Sequence, residues 1–152
     1  MRLRPRQAVA RYVAAVAVGV ALGWVGIPST AQSSETYKLR FEPLPADAKT
    51  RPDLAGSGSL TGVLSGMKLT VTGSFEGLRT AATAARVHNG VAAGVRGPVI
   101  GELTITKATS GSISGSVELN AGQLQNLKKG GLYVQIYSER PADGTLWGWF
   151  LR

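Results

Sequence analysis

The sequence predicts an all-β fold: an antiparallel Greek-key β-sandwich preceded by an N-terminal signal helix, with a closed barrel as the other way to join the same strands. Three observations carry this. Apolar and polar residues alternate with period two in short runs. Doublets that tolerate positive φ separate the runs at regular intervals. The composition, 43% hydrophobic and 17% charged with 20 Gly, is that of a folded domain rich in tight turns. At 152 residues the chain has room for one domain and excludes a large multidomain enzyme.

Residues 1–12 carry Arg2, Arg4, Arg6 and Arg11 and no acid; residues 13–27 carry no charge; PSTAQSSE follows. This is a basic, then apolar, then small-residue export signal, with Ser29 and Ala31 at the small-residue positions and cleavage expected after Ala31. The alternative is an uncleaved anchor, in which case the protein meets the membrane through residues 1–31. The apolar run of about 15 residues falls short of the roughly 20 that span a bilayer. No cysteine follows the run, so a lipoprotein anchor is excluded. The domain is then residues 32–152, in the periplasm, at the cell surface or outside the cell.

Removing the signal changes the charge argument. The whole chain carries +8; 13 Lys and Arg remain against 9 acids, which leaves +4. The remaining basic residues are scattered, with only Lys128 and Lys129 adjacent, and no basic stripe interleaved with aromatics appears. Nucleic acid is therefore not an expected partner.

In the domain, Tyr37, Leu39 and Phe41 alternate with polar residues, and a Pro- and Gly-rich loop follows over residues 43–58. Further one-sided rows are Leu60, Gly62 and Leu64, then Leu69, Val71, Gly73 and Phe75. An alanine-rich strand over residues 82–88 is followed by Val99, Gly101, Leu103 and Ile105. Ile113, Gly115, Val117 and Leu119 form the next row, then Leu132, Val134 and Ile136, then Leu146, Gly148 and Phe150. Turns are expected at Ser65-Gly66, Asn89-Gly90, Ser110-Gly111, Gly130-Gly131 and Asp143-Gly144. Only residues 121–128 read as helix. About eight short strands with one shared core make a disulfide-free domain plausible.

The chemistry available is limited. With no Cys and one His, thiolate metal sites, iron–sulfur clusters and an all-protein catalytic triad lack their material. No GxxxxGK[ST] phosphate cradle exists, and nothing selects a catalytic pair among the scattered carboxylates. No catalytic residue and no cofactor is expected.

The order of motifs resembles the CHRD (chordin) domain family, from about Tyr37 to Leu151. The matching text is YKLRFEPLP with its loop, GSGSLTGVLSGMKLTVTGSFEGL, AARVHNGVAAGVRGPVIGEL, SGSISGSVELNAGQLQNLKKGGLYVQIYS and the closing PADGTLWGWF. The resemblance implies an immunoglobulin- or superoxide-dismutase-like sandwich. It also implies the company of secreted growth-factor regulators and of exported bacterial proteins. It does not imply an activity.

Two departures from the family stand out. Where the family often has His-x-His and a further His, this chain has Arg86, His88 and Tyr137. A metal-binding or dismutase-like reading is thereby reduced to one weak candidate, His88, against a structural reading in which His88 bonds loop backbone beside Asn89-Gly90. Where the family tends to place Arg and Gln, this chain has Trp147 and Trp149. Strand parity puts these tryptophans opposite the Leu146/Phe150 row, and Tyr133 and Tyr137 opposite Leu132/Val134/Ile136. If the two strands pair around an aliphatic core, all four aromatics share one outward face. The leading expectation is a non-enzymatic exported binding or accessory module that meets a protein partner or larger envelope complex through Tyr133, Tyr137, Trp147 and Trp149. A stacking platform for carbohydrate is one alternative. In the other, the faces are inverted, or the first strand and the 43–58 loop cover the aromatics.

Overall fold

The structure, a computed structural model, describes residues 32–152. The expected signal helix over residues 1–31 lies outside them. Eight strands form, and all but the start of β5 follow the alternation of their sequence. They are β1 (Ser34–Pro43), β2 (Ser57–Ser65), β3 (Lys68–Glu76), β4 (Ala82–Asn89), β5 (Val99–Ile105), β6 (Gly111–Glu118), β7 (Leu132–Ser138) and β8 (Leu146–Trp149). A 3-10 turn at Arg51–Asp53 interrupts the 43–58 loop, and one helix, α1 (Ala121–Lys128), precedes β7.

All pairings are antiparallel, in the order β1-β2-β3-β6-β5-β4-β7-β8, with β8 returning to β1. The sheet is a closed barrel and not the expected open sandwich. Two strands cause the closure. β1 pairs along residues 34–41 with β2 and turns its other side to β8 at Glu42 and Pro43. β5 gives its first half to β4 and Thr104 and Ile105 to β6. In an open sandwich those edges would expose unpaired N–H and C=O groups; closure satisfies them against each other. Period-two alternation is the same for either closure, so the sequence pattern does not separate them.

The aliphatic rows point into the barrel. Leu69, Val71, Val87, Leu132, Val134, Ile136, Leu146 and Phe150 are shielded from solvent, and Tyr37, Leu39 and Phe41 of β1 join them. Val99 departs from its expected inward row and is 47% exposed. His88 pairs with Val99 while Val87 pairs with Gly101, so one extra residue, Ile100, is inserted in β5. That bulge reverses the parity, and Ile100 packs against the core instead.

Helix α1 forms where a capping box is written. The Asn120 side chain accepts from the Gln123 N–H at 2.9 Å, and the Gln123 side chain accepts from the Asn120 N–H at 3.0 Å. Leu127 anchors the helix in the core.

Candidate functional site

The outer face of β4, β7 and β8 gathers the aromatic side chains. Tyr133 pairs with Trp149 and Gln135 with Trp147 across β7 and β8. On the other flank Ala84 faces Tyr137, Arg86 faces Gln135 and His88 faces Tyr133. The rings touch as this register requires. Tyr133 lies 5.1 Å from Trp149 and 6.3 Å from Trp147, and the two tryptophans meet edge to face at 4.6 Å. Sequence parity thus brings Tyr133, Tyr137, Trp147 and Trp149 onto one side, with the aliphatic rows on the other.

The face is not, however, an open four-ring surface. The segment 90–98 folds back over it. The Gly97 N–H donates to the Tyr133 hydroxyl at 3.0 Å, and the Asn89 N–H to the Pro98 carbonyl at 2.9 Å. Tyr133 is left 1% exposed. Gly97 permits the close approach: a Cβ there would sit 2.0 Å from the Asn89 carbonyl oxygen. The cover over Tyr133 therefore comes from residues 90–98. At the far end Gln135 is sealed by the turn before β8, donating to the Asp143 carbonyl at 2.8 Å. Trp147 and Trp149 remain half-buried.

His88 belongs to this face. Its Nδ1 lies 2.9 Å from the Gly97 carbonyl oxygen and its Nε2 lies 3.0 Å from the Tyr137 hydroxyl, while the ring stacks on Tyr133 at 4.8 Å. A proton on Nδ1 donating to Gly97, with Nε2 accepting from Tyr137, satisfies both contacts. Burial holds the imidazole below its ordinary pKa of 6.5, aided by the charges of Arg86 and Arg96 and opposed by the Gly97 contact. Burial likewise raises the Tyr137 phenol. Arg86 pairs with Glu102 at 3.0 Å and lies 5.1 Å from the Tyr137 ring centre. The positions where the family often carries histidines, Arg86, His88 and Tyr137, thus meet in space. Here they supply one imidazole with both nitrogens engaged. Among the described residues no three His, Cys, Asp or Glu side chains gather as a metal site would need.

What stays open is a groove of about 560 Å³ beside the tryptophans, over the seam between β8 and β1. The seam is pinned at two places. Glu42 pairs with Trp147, and Lys38 exchanges backbone bonds with Leu151 at 2.7 and 2.8 Å. Between them the same register sets Arg40 opposite Trp149, and among the described residues no ladder pair joins those two. Gly148 lets the backbones crowd here, since a Cβ on it would lie 2.3 Å from the Arg40 carbonyl oxygen. Trp147, Trp149 and Leu151 give the groove an apolar floor; Lys38, Arg40 and Arg152 line it with positive charge, against one acid, Glu42. The Trp149 Nε1–H is buried with no acceptor among the described residues. Arg152 is anchored by its ion pair with Glu35. Glu35 is held below the usual carboxylate range by the Tyr37 hydroxyl, then by the Arg152 guanidinium.

Sequence reasoning missed this groove because Lys38 and Arg40 read as the solvent side of an ordinary strand. The available signal was their parity: they alternate with Tyr37, Leu39 and Phe41, so on a closed barrel they share the outer face with the outward residues of whichever strand pairs with β1.

A closed antiparallel barrel of eight short strands, with one partly open aromatic seam, places the protein among small β-fold modules. The chain belongs to the CHRD domain family, whose model matches residues 42–148, from the last residues of β1 to within β8. No match was found among curated proteins or among solved structures.

Proposed function

We propose that this protein is a non-enzymatic exported binding module and that its contact site is the groove over the β1–β8 seam. One observation carries the reading: two neighbouring tryptophans stay partly open beside an apolar groove flanked by three cationic side chains. Indole rings that border a concave surface are the groups that most often supply binding energy. The broad four-ring docking face expected for a protein partner narrows to this groove, because residues 90–98 cover Tyr133.

Hydrolysis fits the surface less well. Ser57 pairs with Glu76, and the β1–β2 register sets Glu42 on the other side of Ser57. The backbones of Glu42 and Glu76 are thus two strand spacings apart, about 10 Å. Both side chains are exposed, Glu42 at the groove and Glu76 farther along the sheet, so neither is shielded from water as a general acid is.

The test is the double variant Trp147→Ala/Trp149→Ala in the full chain. The expected result is an unchanged circular dichroism spectrum with loss of retention on immobilised native envelope material. A variant that unfolds assigns the indoles to packing and removes the reading, as does a folded variant that is retained like the parent. Export has its own measurement. The intact mass of protein from its native source is expected to begin at Gln32; a mass including residues 1–31 marks the anchored form instead.

A further inference from the structure

We infer that the groove takes an acidic oligosaccharide, a chain of pyranose rings bearing anionic groups. This rests on the binding reading above and adds the ligand class. The groove does not end at the seam. At Arg40 and Ser59 it continues into a second furrow of about 420 Å³ that crosses β2 and β3 and reaches Ser110. The sheet register explains the continuity. Arg40 pairs with Ser59, and Ser59 with Ser74, so one cross-strand row runs from Trp149 through Arg40 to two serine hydroxyls. The next row carries Trp147 and Glu42 and then the Ser57–Glu76 pair. Each of these side chains points outward because its neighbours in sequence point into the barrel.

The belt changes character along its length, and that change selects the ligand. At one end two indoles offer ring faces and edges for the apolar C–H side of a sugar. In the middle, Lys38 and Arg40 make no ion pair among the described residues and are available to carboxylate, phosphate or sulfate, with Glu42 the one acid beside them in the groove. At the far end short hydroxyls and a carboxylate match sugar hydroxyls in both donor and acceptor roles. A peptide needs side-chain pockets and a free backbone edge along its length. The furrow at the serine end is lined mainly by short polar groups, and β2 and β3 are paired on both sides. Four adjacent strands are crossed, three spacings or about 14 Å, which suits an extended chain and not a single ring.

The experiment is isothermal titration calorimetry of the full chain with three probes: an oligogalacturonate hexamer, cellohexaose as its neutral counterpart, and a hexaglutamate peptide. Binding of the oligogalacturonate, weakened by added salt, is expected, with each of the other two at least about tenfold weaker. Arg40→Ala, an exposed change that leaves the barrel intact, is expected to weaken the oligogalacturonate about tenfold. Equal binding of cellohexaose overturns the charge requirement. Equal binding of hexaglutamate overturns the sugar requirement and returns the site to an acidic protein segment. No binding by any probe overturns the inference outright. If Trp147→Ala/Trp149→Ala still abolishes envelope retention in that last case, the binding site stands and only its ligand class falls. If retention survives the double variant, both fall.

Discussion

At the scale of single residues, His88 is the most informative position. Its ring is fixed by the Gly97 carbonyl, the Tyr137 hydroxyl and the Tyr133 face, and burial favours its neutral form. The consequence for stability has a definite sign. With a folded pKa below the unfolded value of 6.5, the neutral contact contributes fully above pH 6.5 and is lost as pH falls through the lowered folded value. Denaturation midpoints followed from pH 7.5 downward are expected to fall in that window, and His88→Gln is expected to flatten the fall. An equal decline in the variant would assign the effect to other groups. The sequence offered two readings of this residue, a lone metal ligand or a loop-backbone contact. The Gly97 bond matches the second. The contacts to Tyr133 and Tyr137 were hidden because β4 and β7 are neighbours only in the barrel, 49 residues apart along the chain for the Tyr137 contact.

At the scale of elements, α1 was readable throughout, and β5 was readable except at its first residues. The helix is specified locally, because Asn120 and Gln123 satisfy each other's backbone donors whatever surrounds them. Asn120→Ala is expected to cost about 1 kcal/mol. Thermal unfolding should show this as a midpoint lower by about 4 °C; an unchanged midpoint would mean that Leu127 packing alone holds the helix. In β5 the alternation predicted an inward Val99, and the insertion of Ile100 moved it outward. A bulge is a property of two strands in register, and one strand's pattern does not announce it. The cover over Tyr133 was hidden for the same reason. Residues 90–98 read as a Gly- and Ala-rich connection, and only their bonds to β4 and β7 make them a lid on an aromatic ring.

At the scale of the molecule, closure joins all eight strands around one core, so damage inside it is felt throughout. Leu146 is fully buried where β8 meets both β7 and β1. Leu146→Ala is expected to cost about 2–5 kcal/mol, at the upper end if the barrel cannot collapse around the vacancy. A chemical denaturation midpoint that stays within error of the parent would contradict the closed core. The same closure creates the groove, since β8 and β1 meet there from opposite ends of the domain's sequence.

The sequence alone specified the strands, most of the inward aliphatic rows, the helix and, for β7 and β8 taken singly, which side carries the aromatics. Each follows from short-range periodicity or a local cap, which the chain carries in consecutive residues. It also carried enough ordered motif to belong to the CHRD domain family. The tertiary structure decided that the sheet closes, that β7 and β8 bring the aromatics together, that Tyr133 is covered more fully than Trp147 and Trp149, and that Arg40 lies opposite Trp149. Those outcomes depend on which edges find each other across long stretches of chain. Every unpaired edge seeks a partner, and alternation is blind to which partner that is.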